Sequence, residues 1–173
     1  MFFPVLALVT SLVNQCPNVT TVKDLNLTEY TRKPWYIQMQ QETPYLPVNS
    51  NYCVRAEYSI SNKKILFYNG TVLDVYNSAR LDNVTGRQLN YKNSTLCGRV
   101  NGENSKLLVA PCFLPNIFAG DYWILAAGPT NDNYEYAIVS GGQPHTRYPS
   151  GCSTSTDKMN NSGLWIFTRN QTV

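Results

Sequence analysis

The chain of 173 residues has few of the side chains on which catalysis and nucleic-acid binding depend. Charged residues make up only 14% of it, the formal net charge is +3, and no basic run occurs, which argues against a nucleic-acid partner. The sequence contains neither a glycine-rich phosphate loop nor a nucleophile elbow. Its single histidine, His145, stands in GGQPHTRYP without an evident partner, and we interpret it as a solvated loop residue. We therefore expect no enzymatic activity and no cofactor.

The cysteines lack the spacing of a metal site. They are scattered, with no CxxC pair, so we expect no bound zinc or other metal ion. In an exported chain they are candidates for disulfides, and their odd number leaves at least one of them free or bonded to another chain. The five are Cys16, Cys53, Cys97, Cys112 and Cys152.

The apolar run at the N-terminus, MFFPVLALVTSLV, is too short to cross a bilayer as a helix. We interpret residues 1–15 as a secretory signal peptide, followed by one domain at residues 16–173. A cut after Ser11 puts small residues at the required positions, and a cut after Gln15 fits less well. The alternative interpretation of this run is a buried first strand. The protein is therefore predicted to be secreted and extracellular, with no transmembrane span.

Sites for N-glycosylation support export. The sequence contains seven Asn-x-Ser/Thr triplets, and a glycan needs water, so each triplet predicts a surface position. The predicted acceptors are Asn18, Asn26, Asn69, Asn83, Asn93, Asn160 and Asn170.

The sequence is rich in strand signals. Aromatic residues reach 12%, with twelve tyrosines, which favours strands and apolar pocket linings. Between residues 34 and 60, apolar and polar residues alternate in two stretches separated by a long connection, 41–52. Further strands are predicted at residues 64–75, 86–100, 106–110, 121–127, 134–140 and 163–168, whereas 141–162 is predicted to be irregular.

About eight antiparallel strands in sequence order fit an up-and-down β-barrel, because closure removes exposed strand edges. Eight strands leave an interior that can hold one small ligand. A β-sandwich is the alternative, since periodicity does not separate the two. We predict an all-β protein, an eight-stranded antiparallel up-and-down barrel.

Three separated stretches resemble the signature regions of the lipocalin family. CPNVTTVKDLNLTEYTRKPWYIQM resembles the opening segment with its Gly-x-Trp motif, in which Trp35 matches the tryptophan and Lys33 stands at the glycine position. DYWILAAGPTNDNYEYAIVS is similar to the strand pair around the family's Thr-Asp-Tyr turn, of which Asp132 is retained. LWIFTRN resembles the last strand with its closing arginine, Arg169, which in the family packs over the tryptophan. The resemblance implies that Trp35, Asp132 and Arg169 are structural.

Within the family the chain looks most like the apolipoprotein D and crustacyanin-like branch, chiefly over TPYLPVNSNYCVRAEYSI. The resemblance implies a calyx that binds and transports a small hydrophobic ligand such as a lipid, retinoid, bilin, carotenoid or sterol. It also implies that the 41–52 connection is a semi-rigid apolar lid over the mouth. A cell-surface receptor or an oligomer is a further possible partner. The alternatives are a secreted interaction or scavenging module that acts through its loops, and an isomerase or de-epoxidase of lipocalin type.

The resemblance further implies a disulfide pattern. The cysteine matching Cys16 usually pairs with one after the seventh strand, where Cys152 is the available counterpart. The partner of the cysteine matching Cys53 lies in a C-terminal tail that follows a helix. This chain ends at Val173, so we expect that helix and tail to be missing and Cys53 to be unpaired. Cys97 and Cys112 then remain to pair with each other.

The predicted ligand-binding residues share the inward parity of their strands. An inward apolar residue in a small barrel is more often plain core, but Tyr58 and Tyr122 combine a ring with a hydroxyl, and Met39 can adapt its shape. On the seventh strand Tyr136 and Ile138 compete with the pair chosen here. The set is Ile37, Met39, Val54, Ala56, Tyr58, Leu107, Val109, Tyr122, Ile124, Ala137, Val139, Trp165 and Phe167.

Overall fold

The computed structural model describes residues 15–90 and 96–172. Most of the predicted signal peptide, and Asn93, lie outside these ranges. Within them the chain forms one short α-helix, α1 (Leu27–Thr31), and a series of strands. The strands are β1 (Trp35–Gln40), β2 (Tyr52–Ser61), β3 (Val72–Arg80), β4 (Gln88–Asn90), β5 (Leu96–Asn101), β6 (Glu103–Pro111), β7 (Gly120–Thr130), β8 (Asn133–Ser140), β9 (Thr146–Tyr148), β10 (Gly151–Ser153) and β11 (Leu164–Thr168).

Eight of these strands close into an antiparallel barrel. Their order around the barrel is β2-β1-β11-β8-β7-β6-β5-β3, and β3 pairs with β2 to complete the ring. The short β4 adds to β3, and β9 pairs only with β10 in the connection that precedes β11. Closure leaves the eight strands without a free edge, which confirms the predicted barrel and excludes the sandwich.

Two predicted strands differ from the observed ones. The third was predicted at residues 64–75 and lies at Val72–Arg80, because residues 65–68 form a tight turn with a bridge between Ile65 and Tyr68. That turn packs on the outer face of the barrel with Val72 and Cys97. Within the predicted strand at 86–100 the structure describes β4 and the first part of β5, and the irregular 141–162 segment contains β9 and β10.

One end of the barrel, which we call the base, is covered by α1 and the residues before it. The helix begins after Asn26, whose side-chain oxygen accepts a hydrogen bond from the Glu29 amide. The backbone N–H of Asn26 donates to Tyr134 Oη at 3.1 Å, beside the turn between β7 and β8. Leu25 O accepts from Asn104 at 3.0 Å, beside the turn between β5 and β6. These bonds hold the N-terminal segment across the base.

Trp35 and Arg169 complete the base. Trp35 is fully buried, and the guanidinium carbon of Arg169 lies 3.4 Å from the centre of its ring. Arg169 donates to the backbone carbonyl oxygens of Glu29, Tyr30, Lys33, Pro34 and Tyr134. The planar guanidinium therefore connects α1, the residues just before β1 and the start of β8 through hydrogen bonds.

The opposite end, which we call the mouth, carries the remaining connections, because neighbouring strands of an up-and-down barrel turn at alternate ends. These are residues 41–51, the segment after β3, residues 112–119 and residues 141–163. The 41–51 connection contains a short 3-10 helix, Val48–Ser50, and a turn bridged between Thr43 and Leu46. The connection predicted to cover the mouth thus lies at that end and is ordered by local turns.

The cysteines form the two predicted disulfides. Cys16 bonds to Cys152, which ties the N-terminal segment to the 141–163 connection, and Cys97 bonds to Cys112 across β5 and β6. Cys53 is free and exposed. Both predicted disulfides are confirmed.

Among the predicted glycan acceptors, Asn26 differs from the rest that the structure describes. It is half-buried and caps α1 through its side-chain oxygen, whereas the others are exposed. The exposed ones are Asn18, Asn69, Asn83, Asn160 and Asn170. None of the helices within residues 15–90 and 96–172 has the length and apolar character needed to cross a membrane.

Candidate functional site

The barrel interior is the candidate site, and its lining becomes more exposed toward the mouth. On β1, Trp35 is fully buried and Ile37 is half-buried, and the same step occurs from Phe167 to Trp165 on β11. The interior is thus sealed at the base and more accessible at the other end. The predicted residues that form or pack against its apolar cluster are Ile37, Ala56, Tyr58, Leu107, Val109, Tyr122, Ile124, Ala137, Val139, Trp165 and Phe167.

The structure also shows which residues of β8 and β7 face the interior, a question that the sequence had left open. On β8, Ala137 and Val139 are fully buried in the cluster, whereas Tyr136 is 46% exposed. On β7, Trp123 faces outward, and the ammonium nitrogen of Lys106 lies 5.5 Å from the centre of its ring. Both placements agree with the parity chosen from the sequence.

Met39 does not face the interior, so its predicted placement was wrong. In the pairing of β1 with β11, Ile37 lies opposite Phe167, but Met39 lies opposite Ile166, which shows an extra residue in β1. Such a bulge reverses the alternation of faces beyond it. Met39 is consequently on the outer face, with 66% of its surface exposed. Its neighbour Gln40 takes the inward place opposite Trp165.

Val54 lies at a second irregularity. β2 has one extra residue between Tyr52 and Arg55 relative to β3, and Cys53 there has a φ of 50°. Val54 is half-buried beside this bulge, and the Cys53 thiol is exposed outside the interior cluster. The thiol is therefore in no position to act on a molecule inside the barrel.

Three tyrosine hydroxyls meet inside the barrel. Tyr122 Oη lies 2.7 Å from Tyr30 Oη and 2.9 Å from Tyr58 Oη, and all three side chains are buried. Burial raises the pKa of each phenol, because the apolar surroundings disfavour the phenolate. Tyr30 comes from α1 and was missed in the sequence, although Asn26 and Glu29 have the spacing of a helix-capping pair. We call Tyr30, Tyr58 and Tyr122 the tyrosine cluster.

Aromatic rings extend from this cluster in both directions. The ring of Trp165 stacks on Tyr122 with centres 6.4 Å apart and an interplanar angle of 25°. The ring centre of Trp35 lies 5.2 Å from that of Tyr30 and 6.1 Å from that of Phe167. The interior wall is therefore aromatic from the base to the half-exposed Trp165.

Gln40 adds an amide to this wall, and the alternation of residues did not predict it. Its side-chain oxygen and nitrogen are both buried, and neither has a hydrogen-bond partner among the residues that the structure describes. A buried amide without partners is destabilising unless a ligand or water satisfies it. Because Gln40 lies opposite Trp165 on the adjacent strand, this amide is on the mouth side of the tyrosine cluster.

The other side chains that the sequence singled out for possible chemistry lie outside the interior cluster. His145 is exposed in the 141–163 connection, where its ring nitrogen Nδ1 lies 3.2 Å from the backbone oxygen of Gln143. Asp74 lies near the sulfurs of Cys97 and Cys112, but a disulfide supplies no thiolate for a metal ion. Asp132 is exposed in the turn between β7 and β8, where the hydroxyl of Thr130 donates to it at 2.6 Å and lowers its pKa. A groove of about 650 Å³ is lined largely by polar residues within 19–24 and 102–106, and a second, of about 470 Å³, is lined by residues of β2 and β3 together with Lys63 and Leu96.

Comparison with known proteins identifies the fold. No family model and no curated protein sequence matches the chain. The crystal structure of a major allergen of cockroaches, Per a 4, is similar with a TM-score of 0.50 and 14% sequence identity, over 91% of this chain and 76% of the allergen chain. An identity this low bears on the fold alone. The closed eight-stranded barrel, covered at its base by the N-terminal helix, has a lipocalin-like fold.

Proposed function

We propose that the protein carries a small hydrophobic molecule, such as a lipid, retinoid, bilin, carotenoid or sterol, inside its barrel, and that it has no catalytic activity. The observation that carries the proposal is the interior itself, apolar and aromatic, sealed at the base by Trp35 and Arg169 and more exposed toward the mouth. An apolar lining with a small number of polar groups is typical of ligand sites. Gln40 and the tyrosine cluster are such groups.

We further propose that the protein is secreted and glycosylated and is a lipocalin of the apolipoprotein D and crustacyanin-like branch. Two disulfides in the described part of the chain are typical of proteins from oxidising compartments. Exposed Asn-x-Ser/Thr sites and the apolar N-terminal run support the same location. Expression in a secreting cell, followed by mass spectrometry of the mature N-terminus and the glycans, tests this part.

Tryptophan fluorescence tests the carrier function directly. Trp165 lines the interior, so retinoids, sterols, bilins, carotenoids or fatty acids that enter the barrel should quench its emission in a saturable titration. In the variant Trp165→Phe the quenching should diminish, whereas in Trp123→Phe, which changes an outer-face residue, it should persist. If none of these ligand classes binds saturably, the proposal is contradicted. Chemical conversion of a bound ligand during prolonged incubation would contradict the non-catalytic part.

A second candidate function is an interaction module that acts through the mouth loops, on a cell-surface receptor or in an oligomer. The uncharged connection 112–119 exposes 75% of Phe113, 83% of Ile117 and 57% of Phe118. It is fastened by the disulfide at Cys112, and Arg99 donates to Leu114 O at 2.7 Å. Exposed apolar groups held together in this way commonly mark interaction sites. Self-association or receptor binding that is lost in Phe113→Ser/Ile117→Ser, with ligand binding intact, would favour this function.

A further inference from the structure

The tyrosine cluster has one more hydrogen to donate than it uses. Three hydroxyl groups carry three hydrogens, and the two contacts at Tyr122 use two of them. This count holds for every arrangement of donors, whether Tyr122 accepts from both neighbours or donates to one of them. No other acceptor contacts these hydroxyls within residues 15–90 and 96–172. One buried O–H donor is therefore left over in the interior.

The hydroxyl that holds the surplus hydrogen is Tyr122, Tyr58 or Tyr30, depending on which of the contacting oxygens donate. Tyr30 is fully buried within the base, whereas Tyr58 and Tyr122 keep 6% and 8% of their surface exposed. Tyr122 also stacks against Trp165, which is half-buried and lies opposite Gln40 on the adjacent strand. Gln40, Trp165 and Tyr122 thus form a continuous wall from the mouth side to the cluster.

Among the residues that the structure describes, none supplies the interior with a free cation that could pair with an acidic ligand at this depth. Arg169, the cation beside Trp35, directs its donors to five backbone carbonyls and stacks on the indole ring. A carboxylate buried beside the cluster would have a hydrogen bond but no counter-charge, which is costly in apolar surroundings. The raised pKa values of the three phenols reflect the same resistance to negative charge.

We propose that the ligand of this barrel is an uncharged molecule whose inner end carries a hydrogen-bond acceptor, a carbonyl or hydroxyl oxygen, which binds to the surplus donor of the tyrosine cluster. This inference rests on the proposed carrier function and adds the class of ligand. The body of the ligand lies along Trp165, and the unpartnered amide of Gln40 is available to a second polar group nearer the mouth. Hydrocarbons and acids of the same shape bind more weakly.

Two series of probes with constant frames test the proposal. The first contains axerophthene, retinal, retinol and retinoic acid, and the second contains cholestane, cholestanone and cholestanol. Within at least one series, the carbonyl or hydroxyl member should bind about 3- to 10-fold more tightly than the hydrocarbon, the usual effect of one net hydrogen bond. Retinal and retinol should also bind more tightly than retinoic acid at neutral pH.

The variant Tyr30→Phe/Tyr58→Phe/Tyr122→Phe should bind the carbonyl probe and its hydrocarbon equally. Because it removes all members of the network, it leaves no buried hydroxyl unpaired, and we expect it to fold. Tyr136→Phe, which removes an outer-face hydroxyl on β8, is the matched control and should keep the preference. The C=O stretching band of retinal bound to the unaltered protein gives a second measurement, with a frequency lower than in hexane if the carbonyl accepts a hydrogen bond.

The possible outcomes separate this inference from the carrier function. Equal binding of hydrocarbon and carbonyl probes, tighter binding of retinoic acid, or an unshifted C=O band would overturn the inference while the carrier function stands. A preference that survives the triple substitution would also overturn it. Saturable binding by no member of either series would overturn both.

Discussion

The base and the mouth of the barrel differ in how completely their buried polar groups are paired. At the base, Arg169 directs its donors to backbone carbonyls, and the Glu29 carboxylate accepts from Arg32 and from the Tyr134 amide. At or near the mouth, buried polar atoms of Gln40, Thr43, Asn116 and Ser162 have no partner within the described ranges, whereas on the base side Ser105 Oγ, near the start of β6, is the exception to complete pairing.

The difference indicates that the base contributes mainly to stability and the mouth mainly to binding. A paired group stabilises the fold, whereas an unpaired buried group lowers the free energy of unfolding until something binds to it. We therefore expect substitutions at the base to reduce stability. At the mouth we expect substitutions of the unpaired groups to affect binding more than stability, a trade-off common at functional sites.

The largest effect is expected from Trp35→Ala. The fully buried indole packs on Phe167 and supports the guanidinium of Arg169, so its removal leaves a cavity at the base. The free energy of unfolding should fall by about 3–5 kcal/mol in urea denaturation. Trp123→Ala, on the outer face, is the control and should cost about 1 kcal/mol. Equal losses in the two variants would contradict a special role for the base.

Arg169→Met tests the hydrogen bonds of the base separately from its packing. Methionine keeps an unbranched apolar stem but removes the donor to the carbonyl oxygens of Lys33, Pro34 and Tyr134. We expect a loss of about 2–4 kcal/mol, measured by urea denaturation at neutral pH. Arg87→Met, in the exposed segment after β3, should change stability by less than about 0.5 kcal/mol. A small loss for Arg169→Met would show that these carbonyls are satisfied in another way.

Acid should weaken the base through Glu29. Its pKa lies below the ordinary value, first because Arg32 donates to the carboxylate and also because the Tyr134 amide does. A lowered pKa in the folded state contributes stability that is complete above the unfolded pKa and is lost as pH falls through the folded pKa. Below about pH 5, the free energy of unfolding should therefore fall less steeply in Glu29→Gln than in the unaltered protein.

The Glu29 measurement needs an exposed carboxyl for comparison. Glu42→Gln, in the connection between β1 and β2, changes a side chain that is exposed at the mouth. It should leave the acid dependence of stability unchanged. A steeper rather than shallower slope in Glu29→Gln would contradict the assignment.

The sequence predicted the barrel and the disulfides well, for different reasons. Alternation along the strands is a strong signal because apolar residues two positions apart contact one core, as Ala137 and Val139 do on β8. The pairing of Cys16 with Cys152 came from the resemblance to the lipocalins, since no local pattern links residues 136 positions apart. Contacts between residues distant in the sequence could thus be predicted where a pattern repeats along a strand or where a related family has the same contact.

Local irregularities of the fold, namely the short helix α1 and the bulge in β1, could not be predicted from the sequence. α1 has only five residues, too few for a periodic pattern, so Tyr30 could not be assigned to the interior. The bulge in β1 involves one residue, and nothing in WYIQMQ indicates where the alternation changes. A bulge depends on the pairing with β11, which the sequence of β1 alone does not contain. For this reason Met39 was predicted inside and Gln40 was overlooked.

Gln40 and Gln41 provide the sharpest contrast between a paired and an unpaired amide. The Gln41 side chain accepts from Ser153 Oγ at 2.7 Å and from Thr154 Oγ1 at 3.0 Å, and it donates to the backbone oxygens of Thr154 and Ser155. Gln41→Leu should therefore reduce the free energy of unfolding by about 1–3 kcal/mol. Gln40→Leu should leave stability unchanged or raise it by up to about 1 kcal/mol, because it removes a buried amide without partners.

Ligand binding should respond in the opposite order. If the Gln40 amide serves a polar group of the ligand near the mouth, Gln40→Leu should weaken the binding of that ligand about 3- to 10-fold while the protein remains fully folded. Gln41→Leu should alter binding only in proportion to its loss of folded protein, which circular dichroism can measure in the same samples. A loss of stability in Gln40→Leu would mean that ordered water already satisfies the amide. In that case the contrast between the base and the mouth would reflect hydration and not an unfilled binding site.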